Sequence, residues 1–180
     1  TQKGLYEHFK AVAQSVNLPI ILYNIPGRTG MQIDIKTLKK LAEIENIVGL
    51  KEASGNISYT AQAAAECPEI DLYSGNDDMI VPVMSLGGKG VISVLSNIMP
   101  EEAHDICEKY LNGDHAGSLA LQLKLFALIK ALFVEVNPIP VKTAMNLMGM
   151  NAGLLRMPLC EMDEGNLEIL KSAMKDVGLI

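Results

Sequence analysis

A charge ends the apolar run Ile47-Val48-Gly49-Leu50: the next residue is Lys51, followed by Glu52-Ala53-Ser54-Gly55-Asn56. A short apolar run of this kind predicts a strand buried on both faces. A lysine at the mouth of such a strand is partly desolvated, which disfavours its ammonium form. Free lysine titrates near ~10.4 and is almost wholly protonated at neutral pH. Lowered by a few units, it becomes an amine nucleophile able to form a Schiff base with a carbonyl. The alternative is a lysine whose stem packs along the strand while its head stays in water.

Other residues at strand ends complete a chemical kit around it. Tyr23 offers a phenol that can relay a proton to a carbinolamine oxygen. Arg28 offers a planar fork suited to a carboxylate. Gly75 and Asn76 follow another strand, and a glycine there leaves its backbone open to a small substrate. Ile92 opens a further strand-end segment that runs to Asn97. Glu52 alternates to the face opposite Lys51, so its expected role is an ion pair inside the fold.

The elements that must position these groups follow a regular rhythm. Residues 4–16 show helical periodicity through Leu5, Phe9, Val12 and Val16, and Leu18-Pro19 ends it. Strands are expected at 20–23, 47–51, 70–74 and 91–95, with a loop over 24–30. Between them, Asp34 and Ser58 are expected to cap helices, a short helix is expected over 79–86, and Pro100 suits a first helical turn. Strand ends recur about every two dozen residues, the spacing of βαβ units in a parallel sheet. Beyond residue 115 the rhythm gives way to three helices, at 116–133, about 139–150 and 164–177.

Two architectures fit four parallel strands. An open doubly wound sheet would place a glycine-rich phosphate loop after its first strand, and Tyr23-Asn24-Ile25-Pro26 is not one. The C-terminal half of a (β/α)8 barrel gathers its chemistry at the C-terminal strand ends, and a start at Thr1 without an initiator Met is expected of a chain cut within a larger domain. The expected organisation is a partial barrel over 1–114 and a C-terminal helical extension over 115–180.

Composition narrows the classes. The 180 residues are 49% hydrophobic, with 4% aromatic and no Trp, so the core is aliphatic and Met-rich. A net charge of −6 argues against nucleic acid and against an anionic membrane as partners. Cys67, Cys107 and Cys160 lack metal-ligand spacing and are expected to be reduced thiols in a cytoplasmic protein. No apolar run reaches the ~20 residues of a membrane span. Gly87-Gly88-Lys89-Gly90 lacks P-loop spacing and precedes its strand, so phosphate binding is not expected there. His8, His104 and His115 show no ligand spacing. The Met145–Met150 segment is expected in a core or a subunit interface.

Four segments in register carry a resemblance: Tyr23-Asn24-Ile25-Pro26-Gly27-Arg28-Thr29-Gly30, Gly49-Leu50-Lys51-Glu52-Ala53-Ser54-Gly55-Asn56, Gly87-Gly88-Lys89-Gly90-Val91-Ile92-Ser93 and Asn137-Pro138-Ile139-Pro140-Val141-Lys142. Together they resemble the dihydrodipicolinate synthase family, within the pyruvate-dependent class I aldolase superfamily. The likeness covers the whole chain and corresponds to roughly the last three-fifths of a family member. It implies a Schiff-base condensation of pyruvate with aspartate 4-semialdehyde, in lysine and diaminopimelate biosynthesis. Lys51 would be the nucleophile, Tyr23 the proton relay and Arg28 the holder of the semialdehyde carboxylate. Backbone groups at Gly75 and Ile92 would line the pyruvate site, beside Asn76. The resemblance implies no metal or organic cofactor, and a cytoplasmic homotetramer.

Sialic acid and keto-sugar lyases of the superfamily usually carry a small or apolar residue where this chain has Arg28, so Arg28 favours the semialdehyde over N-acetylneuraminate. Family members also supply a Thr pair and a second Tyr from strands that have no counterpart here, so the 180-residue piece alone is expected to be inactive. A non-catalytic half-barrel kept for assembly is the third alternative.

Overall fold

The computed structural model describes residues 1–180. The chain divides into two compact units, Thr1–Ile92 and Ser93–Ile180.

The first unit alternates helix and strand: α1 (Gln2–Gln14), β1 (Ile20–Asn24), α2 (Pro26–Thr29), α3 (Ile35–Ala42), β2 (Ile47–Glu52), α4 (Ile57–Glu66), β3 (Asp71–Ser74), α5 (Ile80–Ser85) and β4 (Gly90–Val91). The strands form one parallel sheet in the order β1-β2-β3-β4. Its register sets Tyr23 beside Lys51, Lys51 beside Tyr73, and Tyr73 beside Gly90.

One face of the sheet is a packed core. Leu22, Leu50 and Leu72 point from neighbouring strands toward Leu38 and Leu41 of α3 and Ala63 of α4. Leu38, Leu41, Leu50 and Ala63 are wholly buried. Each such leucine contributes about 1.5–3 kcal/mol by leaving water. The other face is open. Ile21 is 43% exposed and Tyr23 is 44% exposed, so β1 is not the doubly buried strand that its apolar run predicts. Four strands cannot curl into a closed barrel, which takes about eight to enclose its own interior.

Local differences from the sequence reading have local causes. The expected loop over 24–30 contains the single turn α2, which begins at Pro26 and ends on Gly30 at φ 70°, the usual proline-first, glycine-last pattern of a helix. Asp34 occupies the N-cap of α3 without a side-chain hydrogen bond. Asn56 rather than Ser58 caps α4, its Oδ1 accepting from the Ser58 and Tyr59 amides at 3.0 and 3.2 Å. The fourth strand stops at Val91. Beyond it, Ser93 Oγ accepts from Ser96 N at 2.9 Å and closes a turn in place of ladder pairing.

The second unit is helical: a short 3₁₀ turn (Leu95–Asn97), then α6 (Pro100–Leu111), α7 (His115–Lys124), α8 (Phe126–Ala131), α9 (Ile139–Leu147) and α10 (Glu164–Asp176). Pro100 stands in the first turn of α6 with Glu101 and Glu102 beside it, which complements the helix dipole. The helix expected over 116–133 is broken at Leu125, which lies at φ −90° and ψ 0°. Ser118 Oγ of α7 donates to the Ile106 carbonyl of α6 at 2.6 Å. Leu95, Ile106, Leu125, Leu128, Leu132 and Leu170 are wholly buried. Met99 and Met174 are the buried methionines of this unit, while Met150 is half exposed. No helix is long and apolar enough to cross a membrane.

Candidate active site at the strand ends

Lys51 is the fifth residue of β2, half-buried, with its stem on the strand and its Nζ over the Tyr23 ring, 4.2 Å from the ring centroid. That is within cation–π range. The register creates the contact, because paired residues of adjacent strands stand about 4.8 Å apart and project to the same side. Tyr73 continues the row on the far side of Lys51. Below it lies Gly49, whose missing Cβ would sit 3.4 Å from the Tyr73 ring and 3.1 Å from the Asp71 carbonyl. Sequence inspection missed Tyr73. Its signal was the strand alignment, which sets the aromatic of Leu72-Tyr73-Ser74 level with the lysine.

Gly75 lies directly against the end of β2. Its amide donates to the Glu52 carbonyl at 2.7 Å, and a Cβ there would fall 2.6 Å from Ala53 Cβ. The Gly75 amide is thus spent on the sheet. The same is true of Ile92, whose amide donates to the Ser74 carbonyl at 2.9 Å. At both positions the amide is therefore occupied within the sheet. Asn76 is half-buried, its amide donating to Ser74 Oγ at 3.3 Å, while Ser74 Oγ donates to the Asn76 carbonyl at 2.7 Å. Arg28 is exposed on α2, a few residues past the end of β1. The structure therefore joins Tyr23 to Lys51 by direct contact and sets Gly75 against the next backbone position of β2. Arg28 stands on the turn leaving the same strand end.

Glu52 departs from expectation. It is 3% exposed and forms no ion pair. Its Oε2 instead accepts from Asn24 Nδ2 at 2.6 Å, and its Oε1 from the Ser54 amide at 2.5 Å. Asn24 is 1% exposed, and its Oδ1 accepts from the Ile33 amide at 3.1 Å. The Tyr59 hydroxyl donates to the Ile33 carbonyl at 2.7 Å. Burial, and then the nearby Glu52 charge, push that phenol well above its ordinary value, so it stays a donor.

The glycine-rich segment before β4 has a packing role. A Cβ on Gly88 would fall 2.8 Å from the Val83 carbonyl, and the Lys89 amide donates to the Leu72 carbonyl at 2.8 Å. No group of three or more His, Cys, Asp or Glu is arranged to hold a metal ion.

The chain that sets this half-buried lysine over a phenol ring at its strand ends is similar in sequence and fold to a known group of proteins. The profile of the dihydrodipicolinate synthetase family matches residues 1–177. The 4-hydroxy-tetrahydrodipicolinate synthase of Clostridium novyi is 57% identical over 177 residues, 98% of this chain and 60% of that protein. That of Acetivibrio thermocellus is 57% identical over all of this chain and 61% of its own. Among solved structures, dihydrodipicolinate synthase from Thermotoga maritima superposes with a TM-score of 0.96 at 40% identity, over 100% of this chain and 63% of that one. The enzyme from Aquifex aeolicus gives 0.96 at 44% identity, over 99% and 62%. These are (β/α)8-barrel enzymes, and the chain spans about three-fifths of the length of the relatives it matches. Sequence and fold agree along the chain, which belongs to the dihydrodipicolinate synthetase family.

Proposed function

We propose that the full-length protein condenses pyruvate with aspartate 4-semialdehyde to 4-hydroxy-tetrahydrodipicolinate through a Schiff base on Lys51. What carries the reading is the 4.2 Å contact between Lys51 Nζ and the Tyr23 ring at the strand ends of a chain in this family. Lys51 adds to the keto carbon of pyruvate, and the carbinolamine oxygen leaves as water with a proton relayed by Tyr23. Loss of a methyl proton from the imine gives an enamine. Its terminal carbon attacks the aldehyde, and the aldehyde oxygen takes up a proton. The amino group of the semialdehyde portion then adds to the imine carbon, closes the ring and expels Lys51 as a free amine. One water is released overall.

The lysine serves as the electron sink, so the sequence of steps calls for no metal or organic cofactor. Arg28 pairs with the semialdehyde carboxylate, and the carbonyls of Gly75 and Ile92, with Asn76 nearby, border the pyruvate site. A cytoplasmic homotetramer and a place in lysine and diaminopimelate biosynthesis belong to the same reading.

The test is to supply the full-length protein with pyruvate and aspartate 4-semialdehyde and to follow the cyclic product. Product formation is expected, and Arg28→Ala is expected to cut turnover of the semialdehyde about a hundredfold while imine formation with pyruvate is spared. Cleavage of N-acetylneuraminate in place of this condensation would contradict the proposal, and equal loss of both steps in Arg28→Ala would remove Arg28 from its role.

A further inference from the structure

A buried carboxylate without a cation is costly unless its oxygens are fully hydrogen-bonded. Glu52 is such a carboxylate, and it adjoins the proposed nucleophile in sequence. Its partner Asn24 adjoins the proposed proton relay in the same way. The Nδ2–Oε2 bond at 2.6 Å therefore ties β1 to β2 at the residue pair directly beyond Tyr23 and Lys51, on the opposite face of the sheet. The amide orientation is dictated by its neighbours: Nδ2 faces an acceptor and Oδ1 faces the Ile33 N–H, so a flip would set oxygen against oxygen and N–H against N–H.

The network reaches every loop of the proposed site that leaves these two strands. Through Ile33 it anchors the far end of the 25–33 segment that carries Arg28, and Tyr59 of α4 clamps Ile33 from its carbonyl. Through Ser54 it holds the turn that follows Lys51.

We propose that Asn24 and Glu52 are positioning residues, whose buried hydrogen bond fixes the alignment of Tyr23 and Lys51 for imine formation. This rests on the Schiff-base reading given above. The chemistry provides an unusually clean test, because exchanging the two functional groups preserves every bond and reverses donor and acceptor only in the one between the two side chains. In the double swap Asn24→Asp with Glu52→Gln, the Gln amide donates to the Asp carboxylate, Asp still accepts from Ile33 N, and Gln Oε1 still accepts from Ser54 N. Asn24→Asp alone sets two carboxylates face to face. Glu52→Gln alone leaves two N–H groups facing each other at one of its two contacts.

The experiment measures the rate at which pyruvate becomes trapped on Lys51 by borohydride in the full-length protein, per folded molecule, alongside kcat and KM for pyruvate. Each single swap is expected to slow trapping by about a hundredfold, the cost of misplacing a reacting group by about an ångström. The loss is expected in kcat rather than KM, and the double swap is expected to return to within about threefold of wild type. Singles that trap at the wild-type rate while melting earlier would reduce the pair to a structural role and overturn the proposal. So would a folded double swap that stays slow, since that would make the location of the charge, not the bond, decisive. Where a single swap fails to fold, the double swap decides alone: wild-type trapping supports the proposal, and failure to fold or to trap overturns it. A wild type that is not labelled at all contradicts the lysine assignment itself, which separates the two failures.

Discussion

Gly75 is held on three sides at once. Its amide is bonded to Glu52, and the space for a side chain is filled by Ala53 Cβ at 2.6 Å and the Glu52 carbonyl at 3.0 Å. Gly75→Ala is expected to destabilise the protein by about 1–3 kcal/mol, the usual cost of overpacking a rigid site. An unchanged urea midpoint would mean that the β2 and β3 ends part more readily than this packing implies. The strand-end placement of Lys51 and Gly75 was legible, because a charge ends one apolar run and a glycine follows the other strand. Chemistry at this scale was not legible where partners meet across strands. Tyr73 and Asn24 have ordinary neighbours in sequence, and only the register sets one beside Lys51 and the other against Glu52. The ion pair expected of Glu52 failed for the same reason: alternation gives the face of a side chain, not what waits for it there.

Among the elements, α1, α3, α4 and the strands β1 to β3 followed apolar periodicity closely, because each contributes buried residues to the core around Leu22, Leu50 and Leu72. Boundaries were harder, since they depend on single polar contacts. Asn56 and Ser58 are both cap-forming residues, and Gly55 at φ 73° turns the chain so that Asn56 arrives first. Asn56→Ala is therefore expected to cost about 0.5–2 kcal/mol, and Ser58→Ala much less. Thermal melts of the two variants would check this, and a reversed order would return the cap to Ser58. The fourth strand is shorter than its β-forming residues Ile92 to Leu95 imply, because the Ser93–Ser96 turn takes the chain out of the sheet.

At the scale of the whole chain, the sheet order leaves β1 and β4 as edges, and the face bearing Tyr23, Lys51 and Tyr73 carries exposed apolar groups such as Ile21. Unpaired edges beside apolar surface are templates for association. The three thiols report how tightly the rest is closed. Cys67 is 1% exposed and its thiol is pushed up mainly by burial, whereas Cys160 is exposed. A thiol reagent at mildly alkaline pH is expected to modify Cys160 first and Cys67 only on unfolding, because the thiolate is the reactive form. Mass mapping of the labelled peptides reads the order, and early loss of Cys67 would show that the core under β2 and β3 opens in the native state. The parallel sheet itself was legible from the two-dozen-residue strand period, since parallel strands must be joined by crossover helices. The open face was not, because apolar runs are composed the same way whether or not their second face finds a partner in the chain.

The proposed condensation depends most on Lys51 being the group that captures a keto acid. The full-length protein, incubated with pyruvate, reduced with borohydride, digested and mapped by mass spectrometry, is predicted to carry the reduced pyruvyl adduct on the peptide containing Lys51. The adduct is predicted to vanish in Lys51→Arg. An adduct found on another lysine, or none on a folded wild-type protein, would contradict it.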